Sequence, residues 1–267
     1  MIHVATVHWQ TDRWIAPQHD YLRRHLPADF RIYAWLNDIP HARTDLFYYH
    51  TAEPIAAHAI KLNRLADTIL ADTTRADDII IFLDGDAFPV ADLRPLLTDA
   101  LPIHKLVAVQ RLENNGDTQP HPCFCATTVG FWRELQGDWR EGHCWKDNDD
   151  REITDVGGNL LKQVTDGGVN WLPLWRTNKV NLHPLFFGIY GDVIYHHGAG
   201  FRNSVSRLDL VQLKLKRADR LWAKIFPKHK PRAIERAQRE MAARNGALCE
   251  AVFQKILKNP AFHHEFA

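Results

Sequence analysis

The chain has 267 residues, 45% of them hydrophobic and 24% charged, a balance typical of soluble globular proteins that excludes collagen-like and disordered chains. Its 33 basic and 32 acidic residues give a net charge of +1, which argues against a general nucleic-acid-binding protein. Four cysteines are too few for a disulfide scaffold in a chain of this length, so we expect a reducing compartment.

Charge is distributed unevenly along the chain. From Arg202 onward there are 15 basic and 6 acidic residues, a net charge of +9, whereas residues 1–201 carry a net charge of −8. This shift predicts a catalytic domain over residues 1–203 and a basic helical extension over residues 204–267. No stretch approaches the ~20 apolar residues of a membrane-spanning helix, and the first residues lack the features of a signal peptide. We therefore expect a cytoplasmic protein, with peripheral contact at the inner membrane face as a further expectation.

Strand and helix patterns alternate through residues 1–196. The predicted strands are Ile2–Val7, Phe30–Leu36, Ile79–Leu83, Leu106–Gln110, Cys125–Phe131, Val169–Pro173 and Val193–His196, and the predicted helices are Pro17–Leu26, Ala56–Leu70 and Asn159–Thr165. The alternation indicates an α/β fold, and the continuous apolar run Ile79–Leu83 indicates a central strand that is covered on both faces.

The extension is predicted to be helical in two parts, Arg207–Phe226 and Arg232–Leu257, separated at Pro227 and Pro231. Helical spacing in the first part would align one apolar stripe, surrounded by lysines and arginines: Val211, Leu215, Ala218, Trp222 and Ile225. This stripe either packs on the protein or faces an anionic membrane surface.

The most informative segment is Asp84-Gly85-Asp86, which directly follows the apolar run Ile79–Leu83. A buried strand there delivers two carboxylates at its carboxyl end, the edge at which open α/β sheets bind ligands. Because Gly85 lets the backbone turn sharply, both carboxylates can converge on one hard divalent cation, Mg²⁺ or Mn²⁺. The competing interpretation is a surface turn with two solvated aspartates.

This segment resembles the DxD motif of GT-A glycosyltransferases, which use nucleotide-diphosphate sugars. Three further segments fit in the same order. His58–Arg64 resembles a helix with polar contacts to the nucleotide, Cys123–Trp132 a strand lining the sugar and acceptor site, and Ile194–Gly200 the terminal strand whose histidine completes metal coordination. The resemblance covers residues 1–201 and implies a GT-A-like (Rossmann-like) fold, with a mixed, mostly parallel sheet flanked by helices and a helical C-terminal extension. It departs from the common pattern because no Glu-Asp pair marks a catalytic base.

The resemblance implies a hexosyltransferase that uses Mn²⁺ or Mg²⁺ and a nucleotide-sugar donor, with UDP expected from its common pairing with DxD. The expected acceptor is a saccharide, a lipid-linked molecule or a protein. Nucleotide contacts are expected from Thr6, His8, Lys61, Asn63, Asp84 and Gly198.

The predicted metal ligands are Asp84, Asp86 and His197, with Asp86 in direct contact with the cation and Asp84 contacting it through water or contacting the ribose. His196 and His197 lie on opposite faces of a strand, so only one of them can face the cation. We expect His197, because Gly198 and Gly200 free the following backbone to approach phosphate.

A reaction that inverts the anomeric centre needs a carboxylate to deprotonate the acceptor. Asp155, in a turn before the predicted helix Asn159–Thr165, is the candidate. Its alternative roles are an ordinary helix N-cap or, in a retaining reaction, a hydroxyl-binding group.

Other functions fit parts of the sequence. Asp84 and Asp86 also resemble the nucleophile and general acid of haloacid-dehalogenase phosphatases, although Phe88 replaces the expected Thr or Val. A non-enzymatic module that binds a membrane or a partner protein through the basic extension is a further alternative. Asp155-Val-Gly-Gly-Asn resembles the glycine-rich turn of S-adenosylmethionine methyltransferases. That turn directly follows an apolar strand, which is missing here, so we discount this function. A zinc site would draw on a set that matches no standard spacing: His121, Cys123, Cys125, His143 and Cys144.

Overall fold

The computed structural model describes residues 1–27, 29–39, 43–200, 204–226 and 228–267. The chain divides into two compact units, the first formed by Met1–Phe201 together with His263–Ala267 and the second by Arg202–Phe262. The predicted domain boundary after residue 203 directly follows residues 201–203, which lie outside the described residues.

Twelve strands and eight α-helices are found in the described residues. The strands are β1 (Ile2–Trp9), β2 (Phe30–Asn37), β3 (Tyr49–Thr51), β4 (Ile79–Asp84), β5 (Ala87–Pro89), β6 (Leu106–Val109), β7 (His121–Thr128), β8 (Trp145–Lys146), β9 (Glu152–Ile153), β10 (Leu172–Leu174), β11 (Gly188–Tyr190) and β12 (Ile194–His196). The helices are α1 (Ile15–His25), α2 (His58–Asp72), α3 (Leu101–His104), α4 (Val129–Leu135), α5 (Gly158–Asp166), α6 (Arg207–Val211), α7 (Arg217–Ile225) and α8 (His229–Lys258).

A seven-stranded sheet in the order β10-β6-β7-β4-β1-β2-β3 forms the centre of the first unit. Every strand except β7 runs in the same direction. Among the described residues, two large hydrophobic clusters cover the sheet, one with α2, α4 and α5 and the other with α1, α3, β5 and β12. Covered faces explain the apolar sequence of β4, and the predicted α/β fold class, a mixed and mostly parallel sheet with a helical extension, is confirmed.

The order of the strands reverses between β1 and β4. From β1 the chain proceeds outward through β2 and β3, then returns to β4 on the other side of β1. Such a reversal opens a crevice beyond the carboxyl ends of the two neighbouring strands, which is where open α/β sheets bind ligands. In this chain the crevice is reached by Trp9 from β1 and by Asp84 from β4.

A three-stranded antiparallel sheet, β11-β12-β5, borders this crevice. β5 follows β4 after a two-residue turn of Gly85 and Asp86, and it pairs with β12 so that Ala87 lies opposite His196. The terminal strand is therefore held beside the two aspartates by the pairing of β5 with β12.

The predicted strand Cys125–Phe131 is wrong in its second half. β7 ends at Thr128, and Val129 begins α4. The Thr128 hydroxyl accepts a hydrogen bond from the Phe131 amide at 3.1 Å, so this β-branched residue acts as the N-cap of a helix.

The single helix predicted over Arg207–Phe226 is also wrong. α6 ends at Val211 and α7 begins at Arg217, with a non-helical segment between them. In that segment Leu213 and Leu215 are half-buried whereas Lys214 and Lys216 are exposed, an alternation with the period of an extended chain. The apolar stripe that required one continuous helix therefore does not form.

Within the second unit, Ser206 caps α6 through a capping box with Asp209. The Asn245 amide of α8 donates to the Ser204 carbonyl at 2.8 Å, which ties the start of the unit to its long helix. α8 includes Pro231 in its first turn, where proline is tolerated, while Pro227 lies outside the described residues. None of the described helices combines the length and apolar character needed to cross a membrane.

The last residues belong to the first unit. Phe266 is 2% exposed, and its carbonyl accepts hydrogen bonds from the Lys179 and Val180 amides at 2.9 and 3.1 Å. Its ring lies 6.5 Å from that of Tyr195 in β12.

Candidate metal centre

Two carboxylates and one imidazole meet at the crevice between β1 and β4. Nε2 of His196 lies 3.7 Å from Oδ2 of Asp84 and 3.5 Å from Oδ1 of Asp86. One ligand atom from each of the three residues lies within 4.8 Å of the others, and no other described His, Cys, Asp or Glu residues form such a group. Asp86 and His196 are buried, whereas Asp84 remains partly accessible from the crevice.

Gln18 of α1 holds the turn that carries the two aspartates. Its side-chain amide donates to the carbonyls of Asp84 and Ala87, both at 2.8 Å, and its carbonyl oxygen accepts from the Thr6 hydroxyl at 3.1 Å. Gln18 is buried, so these bonds form away from solvent. The first helix and first strand thereby fix both ends of the turn.

The prediction chose His197 as the histidine of the centre, whereas in the structure the histidine beside the two carboxylates is His196. The Nδ1 atom of His197 lies 2.9 Å from the Tyr195 hydroxyl, and its ring packs 4.6 Å from Trp14 and 5.0 Å from Phe187. The alternation of faces along β12 is as expected, but it places Tyr195 and His197 together on the face opposite His196.

Gly198 and Gly200 shape the segment after β12. Gly198 has a φ of +78°. The Gly200 amide donates to Oδ2 of Asp86 at 2.9 Å, and a Cβ at Gly200 would lie 2.6 Å from the Cβ of Asp86. The glycines therefore bring backbone close to a carboxylate of the centre, and only a residue without a side chain fits at position 200.

The Asp86 carboxylate is stabilised in its charged form. Burial by itself would raise its pKa, but His196, His197 and the Gly200 amide together hold the pKa below its ordinary value. Asp86 is therefore ionised at neutral pH.

The group has the composition that a hard divalent cation requires. Ligand atoms about 2.1 Å from such a cation and at right angles to one another lie about 3 Å apart, close to the separations of His196 from the two carboxylates. Both carboxylates are held near each other, and a cation between them removes their repulsion. The Nδ1 atom of His196 is buried and makes no hydrogen bond to a described residue, so the ring presents Nε2 to the carboxylates.

Thr6 and His8 lie on β1 beneath the crevice and are both fully buried. Thr6 contacts Gln18, as described above. Burial lowers the pKa of His8 to about 4, against opposing effects of Gln18 and Asp86, so its imidazole is neutral at pH 7. Sequence reasoning expected these two residues to contact the nucleotide and missed Gln18, whose helical pattern carries no sign of its role.

Lys61 and Asn63 of α2 have different surroundings. Lys61 is 5% exposed, and burial lowers its pKa while Asp38 raises it. The Asn63 side chain donates to Asp138 at 2.7 Å and accepts from the Trp139 amide at 2.9 Å, so it joins α2 to the loop after α4.

Sequence reasoning also missed His58 and Trp9 as individual residues. Nε2 of His58 lies 3.2 Å from Oδ1 of Asp84, whereas His196 approaches Oδ2 of the same carboxylate. The Trp9 indole is 41% exposed and donates to Asp38 at 3.2 Å. The position of Trp9 at the end of the first strand was the available signal.

Asp155 is exposed and lies before α5. Its Oδ1 accepts from the Val156 amide at 2.8 Å, and the helix N-cap is Gly157, not Asp155. Asp117 lies near it and is 2% exposed. Burial raises the pKa of Asp117 to about 6, and the charge of Asp155 adds to this rise.

The cysteines of the zinc alternative do not converge. Cys123 belongs to the hydrophobic cluster that contains α1, and Cys125 to the cluster that contains α2, on opposite faces of the sheet. Burial raises the pKa of both thiols, as expected for core residues.

No protein-family model matches the chain, and no relative was found among curated proteins. Among solved structures, the mannosyltransferase PcManGT from Pyrobaculum calidifontis, in complex with GDP-Man and Mn²⁺, is 14% identical, with 64% of this chain and 54% of that one covered at a TM-score of 0.40. The glycosyltransferase GlyE of Streptococcus pneumoniae TIGR4 is 15% identical, with 65% and 46% covered at 0.41. Glucosyl-3-phosphoglycerate synthase from Mycobacterium tuberculosis is 15% identical, with 66% and 69% covered at 0.40. The chain thus spans about half the length of the first two structures.

Proposed function

We propose that this chain is a metal-dependent glycosyltransferase that moves a hexosyl group from a nucleotide-diphosphate sugar to an acceptor hydroxyl. The observation that carries the proposal is the cluster of Asp84, Asp86 and His196 at the crevice where the strand order reverses. This group fits Mn²⁺ or Mg²⁺, which when bound stabilises the negative charge on a departing diphosphate.

The three residues of the cluster are assigned different roles in binding the cation. Asp86 and His196 are both buried, and the Gly200 amide orients the Asp86 carboxylate, so these two residues are proposed to supply the fixed ligand atoms. Asp84 is partly exposed and lies beside both His58 and His196, and we assign it a position between the cation and the donor. This assignment keeps Asp86 as the direct ligand and replaces His197 by His196.

The donor nucleotide is assigned to the β1–β2 side of the crevice. Lys61 supplies an ammonium group there, and the exposed face of Trp9 offers a surface on which a base can stack. Thr6 and His8 support this side from beneath, while the Gly198 segment approaches the diphosphate from β12. UDP is the nucleotide we expect, and the sugar is to be identified by the screen below.

Asp155 is proposed to act on the acceptor, as the base of an inverting reaction or as a hydroxyl-binding group in a retaining one. Its exposure and its place at the start of α5 leave its Oδ2 accessible to an acceptor.

The phosphatase alternative needs Asp86 to donate a proton to a leaving group. The pKa of Asp86 is held below its ordinary value by His196 and the Gly200 amide, so the carboxyl carries no proton at neutral pH. This electrostatic environment suits a cation ligand and opposes a general acid.

The second unit is proposed to contact an anionic membrane surface, which would bring the enzyme to lipid-linked acceptors. Val211 and Ile225 are 76% and 67% exposed, and exposed basic residues such as Lys214, Arg217 and Arg220 lie close to them in sequence. Flotation with vesicles of phosphatidylcholine, with and without phosphatidylserine, tests this proposal. We expect recovery with the anionic vesicles at low salt only, and equal recovery with both vesicles would contradict it.

The direct test of the enzymatic proposal is calorimetry of UDP and GDP binding in Mn²⁺ and in EDTA, followed by a screen of nucleotide sugars for Mn²⁺-dependent hydrolysis. We expect binding only with the cation, and a loss of at least about 100-fold in Asp86→Asn against about 10-fold in Asp84→Asn. Equal affinity in both buffers would rule the proposal out. Cleavage of p-nitrophenyl phosphate without any nucleotide-sugar turnover would favour the phosphatase.

A further inference from the structure

We propose that Trp175 is a stacking platform for a sugar ring of the acceptor, and that the acceptor is a saccharide of two or more rings. The inference rests on the proposed function, because it extends the same site toward the second substrate. It begins from an exposed indole at the edge of the sheet that carries the metal centre.

Trp175 directly follows β10, at the carboxyl end of that strand. β10, β6 and β4 run in the same direction, so the residues after each strand share one edge of the sheet. Three strand spacings separate β10 from β4, which corresponds to about 14 Å. The platform therefore lies on the same edge as Asp84, farther from the metal centre than one sugar ring reaches.

The indole is held in place although it is 56% exposed. Its Nε1 donates to Oε1 of Gln110 at 2.7 Å, and the Gln110 amide in turn donates to the Thr118 carbonyl at 2.7 Å. The Trp175 carbonyl accepts from the Gly191 amide at 2.9 Å. A side chain whose orientation is already fixed loses little conformational entropy when a ligand binds its face.

The exposed face of the Trp175 indole is suited to stacking with a pyranose ring. Because Gln110 already uses the indole N–H, the ring offers a flat aromatic face and no free donor. One face of a pyranose consists of C–H groups and stacks on such a surface, while its hydroxyls remain at the edges in contact with water or polar side chains.

Polar residues lie between the platform and the metal centre. His121 begins β7 and pairs in register with Val109, the residue before Gln110. Its ring lies 5.8 Å from the ring of His196. A saccharide that stacks on Trp175 can therefore extend past His121 and present its terminal hydroxyl to the donor sugar.

The test uses the full chain and disaccharides ending in glucose, galactose, mannose or N-acetylglucosamine. Saturation-transfer NMR measures their binding to the native protein, Trp175→Ala, Trp175→Phe and the matched surface control Ile103→Ala, whose residue is 75% exposed. We expect at least one disaccharide to bind the native protein, with affinity reduced at least tenfold in Trp175→Ala and less than threefold in Trp175→Phe and Ile103→Ala.

Calorimetry of UDP and GDP with Mn²⁺ on the same variants separates this inference from the proposed function. We expect nucleotide affinity to be unchanged in all of them. If nucleotide binds but no disaccharide binds, or Trp175→Ala binds sugar like the native protein, the platform is disproved and the proposed function stands. If disaccharides bind through Trp175 but no nucleotide binds with Mn²⁺, the platform stands as a saccharide site and the transferase proposal fails.

Discussion

Two chemically identical residues at the end of β12, His196 and His197, have unlike environments. The Nε2 atom of His196 approaches two carboxylates, whereas the ring of His197 packs among aromatic side chains. The alternation of a strand requires this separation, but it does not say which residue takes which face. The choice is made by the pairing of His196 with Ala87, next to Asp86 in the turn, and that pairing is invisible in the sequence.

Substitution of the two histidines should therefore affect different properties. His196→Ala should weaken Mn²⁺-dependent nucleotide binding at least about tenfold with little change in thermal stability, because it removes a ligand. His197→Ala should lower the free energy of unfolding by about 2–4 kcal/mol, because it leaves a cavity beside Trp14 and Phe187. Calorimetry and urea unfolding measure the two effects, and the reverse pattern would restore His197 as the ligand.

Asp117 gives a prediction for the dependence of stability on pH. Its pKa in the folded protein is about 6, above the value of an unfolded chain, so the folded state holds a proton that the unfolded state has released between about pH 4 and 6. The free energy of unfolding should fall as pH rises through this range, by about 3 kcal/mol in all. Asp117→Asn should abolish this fall and exceed the native protein in stability at pH 7 and above. Urea unfolding at pH 4, 5, 6 and 7 measures the difference, and parallel curves for the two proteins would refute the assignment.

At the scale of elements, the sequence pattern predicted the strands that are buried on both faces. It failed to predict the ends of elements that depend on a single local contact. The apolar run Ile79–Leu83 predicted β4, and the two aspartates after it predicted the candidate metal centre that they form with His196. In contrast, the start of α4 depends on the hydroxyl of Thr128, which caps the helix. The break between α6 and α7 depends on whether the chain around Leu213 and Leu215 is helical or extended. Helical and extended periods both fit such short segments, so the pattern alone could not distinguish them.

The contact of α1 with the metal-binding turn is testable through Gln18. Gln18→Leu should leave the Asp84 and Ala87 carbonyls without their donor, lowering stability by about 2–3 kcal/mol and Mn²⁺ affinity several-fold. Gln163→Leu is the matched control, because Gln163 also bridges two backbone groups, at Gln136 and Asp138, far along the chain from the turn. Denaturation and Mn²⁺ titration should show that both variants lose stability but only Gln18→Leu loses affinity. An equal effect of both on affinity would mean that Gln18 is merely structural.

At the scale of the whole molecule, the first unit is built from two separate parts of the chain. Residues 202–262 lie in sequence between Met1–Phe201 and the closing segment His263–Ala267. The net charge of +9 after residue 201 was the basis for predicting a separate extension over residues 204–267, but composition carries no sign that His263–Ala267 belongs to the first unit.

Phe266 of the first unit and Phe226 of the second should respond differently to truncation to alanine. Phe266→Ala should lower the free energy of unfolding of the first unit by about 3–5 kcal/mol, because Phe266 is 2% exposed. Phe226→Ala, whose side chain is 46% exposed, is the control and should change stability by less than about 1 kcal/mol. Calorimetric melting of the full chain measures both, and similar melting temperatures for the two variants would contradict the placement of the closing segment.

The position of residues 202–262 between two segments of one body also links the units through chain entropy. When this insertion is unfolded, docking of His263–Ala267 must close a flexible loop of about 60 residues, at a cost of roughly 3–4 kcal/mol. When the described residues 204–262 are folded, the separation of Ser204 from Phe262 is already fixed, and most of that entropy has been lost beforehand. Folding of the second unit therefore favours completion of the first through the backbone alone, and a substitution that unfolds the second unit should loosen His263–Ala267.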